Sequence, residues 1–209
     1  MAKSTTGRSK FKMQRALGIE LPGLGKAGAL ERRPYGPGVH GNARKKISDY
    51  AIRLKEKQKL TFHYGIREKQ LVRYVKASKK VKGKAWMETL IIGLESRLNN
   101  VIFRLNWAPS IPAASQMVSH GQILLNGKKV DRASLVVQKG DVISLTEKGY
   151  NNQLYKHAQS TPRLPAVPAN YKVEGTEQKK ATMVELPLPS DIPFEYTGQL
   201  VTEYYWKVK

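Results

Sequence analysis

The 209-residue sequence contains no cysteine. This absence excludes disulfide bonds, cysteine-ligated zinc or iron–sulfur centres and a thiol nucleophile. No run of about 18 apolar residues occurs, which argues against a membrane-spanning helix. The first six residues also lack the apolar segment of a secretory signal. We therefore expect a soluble, intracellular protein.

Histidine is scarce, and the four that occur (His40, His63, His120 and His157) have no metal-ligand spacing. No glycine-rich phosphate loop of the Walker type is found either. From these absences we expect no metal, no cofactor and no catalytic residue.

Acidic residues are few: 16 Asp and Glu face 37 Lys and Arg, giving a formal charge of +21. The excess lies almost entirely in residues 1–84, which hold 23 basic and 5 acidic residues with aromatic residues between them. A lysine-rich solvated surface is the alternative interpretation. The density of charge favours a nucleic acid as partner.

The sequence predicts an α+β fold in three parts. Residues 1–44 form a basic, turn-rich arm, because ten glycines and prolines between Gly18 and Gly41 interrupt any regular element. We expect this arm to take its shape only on a partner. Residues 45–94 form a mainly helical domain completed by 180–209, and residues 95–179 form a small ααβββ module with a connector.

Local signals place the elements. Ser48 is the expected N-cap of a helix that ends at Gly65, and the dipeptide at 126–127, Asn-Gly, predicts a hairpin between two short strands. A strand-like stretch spans 181–186. The stretch 149–170, which contains Pro162, Pro165 and Pro168, is interpreted as a connector. The apolar end, 199–206, is expected to pack back on the helices.

The stretch 97–148 resembles the small RNA-binding module named after ribosomal protein S4. The motifs are RLNN at 97–100, SHGQI at 119–123, NGKKV at 126–130 and KGDVI at 139–143. Outside it, ERRPY at 31–35, PGVHG at 37–41, RLKEKQKL at 53–60, LESRL at 94–98 and VTEYY at 201–205 resemble the bacterial-type S4 family itself. The resemblance is collinear over nearly the whole chain.

The resemblance implies a structural constituent of the small ribosomal subunit on the cytoplasmic ribosome. Such a protein binds the five-prime domain of 16S-type rRNA, nucleates assembly of the subunit body and contributes to translational accuracy. Its implied partners are small-subunit rRNA, the neighbouring ribosomal protein uS5 and mRNA where it enters the ribosome; the cluster at 44–46 is expected to touch that mRNA.

Two departures from the family matter. Some relatives bind zinc through four N-terminal cysteines, and this chain has none. Many relatives also have a basic helix where Ser110–Gln116 is neutral here, so its side-chain phosphate contacts are not carried over. Backbone N–H groups at that helix start remain able to meet a phosphate.

The candidate RNA-contacting residues are mainly cations of the arm and of the 53–59 helix, with polar residues of the module. They are Arg8, Lys10, Lys12, Arg15, Arg32, Arg33, Tyr35, His40, Arg44, Lys45, Lys46, Arg53, Lys55, Lys57, Lys59, Arg73, Arg97, Asn100, Arg104, His120, Lys128 and Lys129. We expect them to position phosphates rather than read bases.

Alternatives stay open for three of these residues. His40 is either an RNA contact or a turn residue bonded to its own backbone. Lys129 is either a phosphate contact or merely the outward residue of a strand. Arg97 lies seven residues before Arg104 and thus on the same helix face. It either meets RNA with Arg104, pairs in the neighbourhood of Glu95, or caps the helix.

Two other protein classes use such a module: RNA-modifying enzymes such as pseudouridine synthases, and RNA-binding stress proteins. The stretch after Lys148 is too short for an ordinary catalytic domain, and a stress protein would not need the basic arm. Asp49 and Glu56, which are surrounded by lysines, are interpreted as ion-pair partners rather than as an acid/base pair.

Overall fold

The computed structural model describes residues 9–25, 28–43, 46–176 and 179–206. The chain divides into two compact units, Met1–Met87 with Pro193–Lys209 and Glu88–Ile192. Helices dominate the first unit and an antiparallel sheet with helices makes up the second. The α+β class predicted from the sequence is confirmed.

The helices are α1 (Lys10–Leu17), α2 (Ala29–Arg32), α3 (Asp49–Tyr64), α4 (Glu68–Lys80), α5 (Trp86–Glu95), α6 (Leu98–Arg104), α7 (Ile111–Ser119), α8 (Glu147–Tyr150), α9 (Gln153–Ser160) and α10 (Gly198–Tyr204). The strands are β1 (Ile123–Leu125), β2 (Lys128–Val130), β3 (Val142–Leu145), β4 (Tyr171–Glu174) and β5 (Lys180–Met183), and a 3₁₀ turn spans Pro189–Asp191.

Helix α3 has the boundaries that its end residues predict. The Ser48 hydroxyl accepts a hydrogen bond from the Ala51 N–H at 3.3 Å, which satisfies one of the free donors at the helix start. Gly65 ends the helix at φ +61°, a left-handed conformation that glycine adopts without strain. Leu60 and Tyr64 are buried on the inner side.

The C-terminal helix α10 packs against α3, as the apolar end of the sequence predicts. Val201 and Tyr205 are buried, and the Tyr205 hydroxyl donates to Glu68 at 2.8 Å. Burial raises the pKa of Tyr205, and the Glu68 carboxylate raises it further. Burial also raises the pKa of Tyr204 to about 12.

The arm has a packed side of its own, contrary to the prediction. Met13, Leu17, Leu21 and Leu24 are buried, and α1 packs against α2 and α3. The side-chain amide of Gln14 ties the fold-back together by accepting from the Leu21 N–H at 3.0 Å and donating to the Leu24 carbonyl at 2.8 Å. The described arm thus belongs to the first unit, so position 44 is not a unit boundary.

The second unit contains a five-stranded antiparallel sheet in the order β2-β1-β3-β5-β4. The hairpin between β1 and β2 turns at Asn126 (φ +50°) and Gly127 (φ +76°), the positive angles that an Asn-Gly turn requires. Apolar residues of α6, α7 and the sheet form one core.

One expectation for the second unit is wrong. Strand β5 pairs with β3 in this sheet, with Ala181 and Met183 buried, so the segment that completes the first unit begins at Pro193 rather than at 180. The connector also contains α8 and α9, and α9 buries Tyr155 and Ala158. Its prolines follow α9 and do not interrupt it.

Candidate nucleic-acid interface

A cavity of about 320 Å³, here called the arm cavity, lies beside α1 and α2. Its charged lining residues are all cations: Lys12, Arg15, Arg32 and Arg33. None of the four has a carboxylate within ion-pair distance in the described residues. The arm cavity is therefore a concave site of positive potential.

Two aromatic side chains belong to this region. Phe11 is 41 % exposed and lines the arm cavity beside its cations. The Arg15 guanidinium lies 4.9 Å from the centre of the Tyr35 ring and donates to the Tyr35 and Gly36 carbonyls at 2.9 and 3.0 Å. Arg15 thus holds the turn that displays Tyr35.

Lys12 also lines a second cavity of about 350 Å³, which contacts α3 through Gln58 and Phe62. Lys10, Arg32, Arg33 and His40 are exposed around these cavities. Lys46 and Arg73 are exposed elsewhere in the first unit. Three predicted contacts, Arg8, Arg44 and Lys45, lie outside the described residues.

The cations of α3 differ from those of the arm because most of them are paired. Arg53 lies 2.6 Å from Glu203, Lys57 lies 2.8 Å from Glu68, and Lys59 lies 2.6 Å from Glu56. Lys55 is half-buried without a carboxylate partner in the described chain.

Lys57 is itself buried, with its ammonium 5.2 Å from the Tyr204 ring. The prediction that it contacts phosphate is therefore wrong, because its donor group points into the first unit. The pairing of Glu56 within α3 is confirmed, with Lys59 as the partner.

In the module, the predicted basic face of α6 points into the core. Arg104 is 1 % exposed and donates Nε to Glu95 at 2.8 Å, and Asn100 donates to the same carboxylate at 2.7 Å. Arg97 is also buried. We correct the prediction for these three residues: their side chains are too deeply buried to contact RNA, and those of Asn100 and Arg104 stabilise the module through Glu95.

Among the exposed cations of the module, Lys128 and Lys129 lie on the β1–β2 hairpin, with His120 nearby. The aliphatic part of Lys129 crosses Gly121 so closely that an added Cβ there would lie 2.0 Å from Lys129 Cε. Asn126 fixes the turn by donating to Asp141 at 2.8 Å and accepting from the Val142 N–H at 2.8 Å. The hairpin therefore presents two ammonium groups from a defined turn.

The candidate list omits Phe11, although its position between Lys10 and Lys12 is a signal for base stacking within a basic segment. Within the described ranges, no helix is both long and apolar enough to cross a membrane. The same part of the chain holds no cluster of three or more metal-binding side chains.

Both cationic regions lie in parts of the chain that are similar to known proteins. Residues 6–95 match the family "Ribosomal protein S4/S9 N-terminal domain", and residues 96–143 match the S4 domain. Small ribosomal subunit protein uS4B of Bdellovibrio bacteriovorus is 51 % identical over 198 residues, covering 94 % of each chain. The chain belongs to the uS4 family.

Other uS4 proteins agree over the same length. The uS4 protein of Methylobacillus flagellatus is 42 % identical over 94 % of this chain and 95 % of its own. The uS4c protein of Rhodomonas salina is 43 % identical over 89 % and 90 %. The family named from the sequence motifs is confirmed, and it is a family of small ribosomal subunit proteins with an S4 RNA-binding domain.

Proposed function

We propose that this uS4 protein is a structural, non-catalytic constituent of the small subunit of the cytoplasmic ribosome, where it binds the five-prime domain of 16S-type rRNA. The observation that carries the proposal is the arm cavity, with its four cations and no carboxylate partner among the described residues. The hairpin lysines of the second unit supply a separate set of contacts.

Unpaired cations matter because RNA affinity depends largely on phosphate neutralisation. A lysine or arginine already held by a carboxylate gains little from a phosphate, since it must first give up that partner. A free cation releases condensed counterions from the RNA when it binds. Phe11 and Tyr35 add flat surfaces on which unpaired bases stack.

The experiment measures binding of the full chain to an rRNA five-prime-domain fragment across a range of salt concentrations. Lys12→Ala/Arg32→Ala/Arg33→Ala removes three cations from the arm cavity. We expect weaker binding and a log–log salt slope reduced by roughly 2–3, at roughly 0.7–0.9 for each phosphate contact.

A matched control removes three exposed cations of α4 by Lys69→Ala/Lys76→Ala/Lys80→Ala. The net charge falls by the same amount, but the arm cavity is intact. Equal losses in the two triple variants would contradict the proposal, because binding would then depend on net charge alone.

The finer functions extend this proposal. Early rRNA binding nucleates assembly of the subunit body, and contact with uS5 contributes to accuracy. The cluster Arg44, Lys45 and Lys46 holds mRNA as it enters the ribosome; Lys46 is exposed. Cations near the start of α3 oppose the helix dipole, which a polyanion would offset.

Changing Arg44, Lys45 and Lys46 together to alanine tests the mRNA contact. We expect slower translation through a stable mRNA hairpin, with subunit assembly unaffected. Defective assembly with normal passage through the hairpin would assign these cations to rRNA instead.

A further inference from the structure

A groove of about 520 Å³ lies in the first unit, between the end of α4, the start of α5 and the end of α10. We call it the tryptophan groove, because the indoles of Trp86 and Trp206 line it together with Lys79 and Lys84. None of the candidate residues predicted from the sequence belongs to it.

Trp206 is displayed rather than packed. Its side chain is 78 % exposed, although its backbone N–H donates to the Glu203 carbonyl at 3.3 Å. The preceding residue, Tyr205, is buried and bonded to Glu68, so the main chain beside the indole is anchored. The exposed indole on this anchored main chain is therefore a flat surface on which a ligand can stack.

The charge of the tryptophan groove selects the kind of ligand. The two charged residues that line the groove are lysines. The Lys79 ammonium lies 5.4 Å from the centre of the Trp86 ring and donates to the Tyr205 carbonyl at 2.9 Å, which holds the floor of the groove in place. Lys84 is exposed at the rim, without a carboxylate partner in the described chain.

We propose that the tryptophan groove binds one unpaired nucleotide of small-subunit rRNA, with the base stacked on Trp206 and a flanking phosphate at Lys84. The inference rests on the proposed function. An exposed aromatic beside a cation such as Lys84 is an arrangement with which proteins hold unpaired RNA bases. The volume of the groove is within the range of small-molecule sites, roughly 300–1,000 Å³, and is sufficient for one nucleotide.

Binding of the full chain to small-subunit rRNA is measured for the wild type, Trp206→Ala and Trp206→Phe. We expect Trp206→Ala to bind about thirtyfold more weakly, the middle of the range for loss of one stacked base. Trp206→Phe keeps a ring and retains most of the affinity. Trp206 is exposed, so neither change disturbs the core.

The charge of the groove is tested by a matched pair of lysines. Lys84 lines the groove, whereas Lys82, two residues earlier and equally exposed, does not. Lys84→Ala should weaken rRNA binding and lower the salt slope by roughly 0.7–0.9, and Lys82→Ala should change both less. Equal effects of the two variants would overturn the phosphate contact.

Fluorescence gives a readout independent of affinity. The difference between the emission of the wild type and that of Trp206→Phe isolates Trp206 from Trp86 and the buried Trp107. Saturating rRNA should quench this difference and protect it from acrylamide. Unchanged emission and unchanged accessibility would overturn the inference.

The design separates the two proposals. A wild-type chain that does not bind rRNA contradicts the proposed function. Wild-type binding that Trp206→Ala leaves unchanged contradicts the tryptophan groove alone. If Trp206→Ala binds rRNA normally but is no longer taken up into small subunits, the groove docks a protein and the inference is overturned.

Discussion

On α3, three of the four cations between Arg53 and Lys59 lie within 2.6–2.8 Å of a carboxylate, whereas the four cations of the arm cavity have no such partner in the described chain. Both segments are similarly basic in sequence. The α3 cations therefore link α3, α4 and α10, whereas Lys12, Arg32 and Arg33 of the arm cavity are available to an external anion.

The second unit repeats this contrast over a short stretch of chain. Arg104 is buried against Glu95, and Lys129 is exposed on the hairpin. A cation paired inside the protein has its charge compensated before RNA arrives. The pairing of a positive charge, rather than its density along the chain, thus identifies the candidate interface.

The buried pair should give the largest effect on stability. Arg104→Met leaves the Glu95 carboxylate in the core without its main partner, and breaking a buried pair in this way costs about 3–5 kcal/mol. We therefore expect the free energy of unfolding, measured by chemical denaturation, to fall by this amount. The double variant Glu95→Gln/Arg104→Met removes the unpaired carboxylate charge as well and should recover part of the lost stability. A decrease below about 1 kcal/mol for the single variant would contradict the structural assignment of Arg104.

A direct test of the comparison changes three cations in each segment. Arg53→Ala/Lys57→Ala/Lys59→Ala should lower stability while reducing the salt slope of rRNA binding by less than about 1. Lys12→Ala/Arg32→Ala/Arg33→Ala should reduce the slope by roughly 2–3 and leave stability nearly unchanged. If both variants reduce the salt slope by similar amounts, the α3 cations must leave their carboxylate partners and bind phosphates.

Local chemistry made much of the fold predictable. The ends of α3 and the hairpin turn could be predicted because each depends on one or two adjacent residues, namely Ser48, Gly65 and the pair Asn126–Gly127. The pairing of β5 with β3 and β4 depends on residues distant in the chain, and a strand of four residues carries too little periodicity to show its partner.

The site was predictable as a region but not residue by residue. Composition located the basic arm, and the motifs identified the family. The seven-residue spacing of Arg97 and Arg104 placed them on one helix face, yet spacing does not say which face is buried. That depends on Glu95, whose carboxylate lies in the core and draws Arg104 and Asn100 inward.

A smaller effect on stability and rRNA binding is expected when the position of Lys129 is disturbed. Gly121 and Gly127 both have positive φ, at +63° and +76°, so alanine at either position should cost about 1–2 kcal/mol of stability. Only at Gly121 would the new Cβ meet Lys129; nothing lies within 4 Å of one at Gly127. We expect Gly121→Ala alone to weaken rRNA binding. Equal affinities of the two variants would leave Lys129 as an outward strand residue.

The smallest effect is expected for the exposed ion pair of α3. The side chains of Arg53 and Glu203 are 37 % and 36 % exposed, so a double-mutant cycle on unfolding should give a coupling of only about 0.2–1 kcal/mol that falls with salt. Glu203→Gln frees Arg53 and should steepen the salt slope of rRNA binding by up to roughly 0.9. Glu185→Gln, which changes the same charge at an exposed position without an ion-pair partner in the described chain, is the control. If both variants change the slope equally, the ion pair does not keep Arg53 from binding RNA. The contrast between α3 and the arm cavity then depends on the Lys57–Glu68 and Lys59–Glu56 pairs alone.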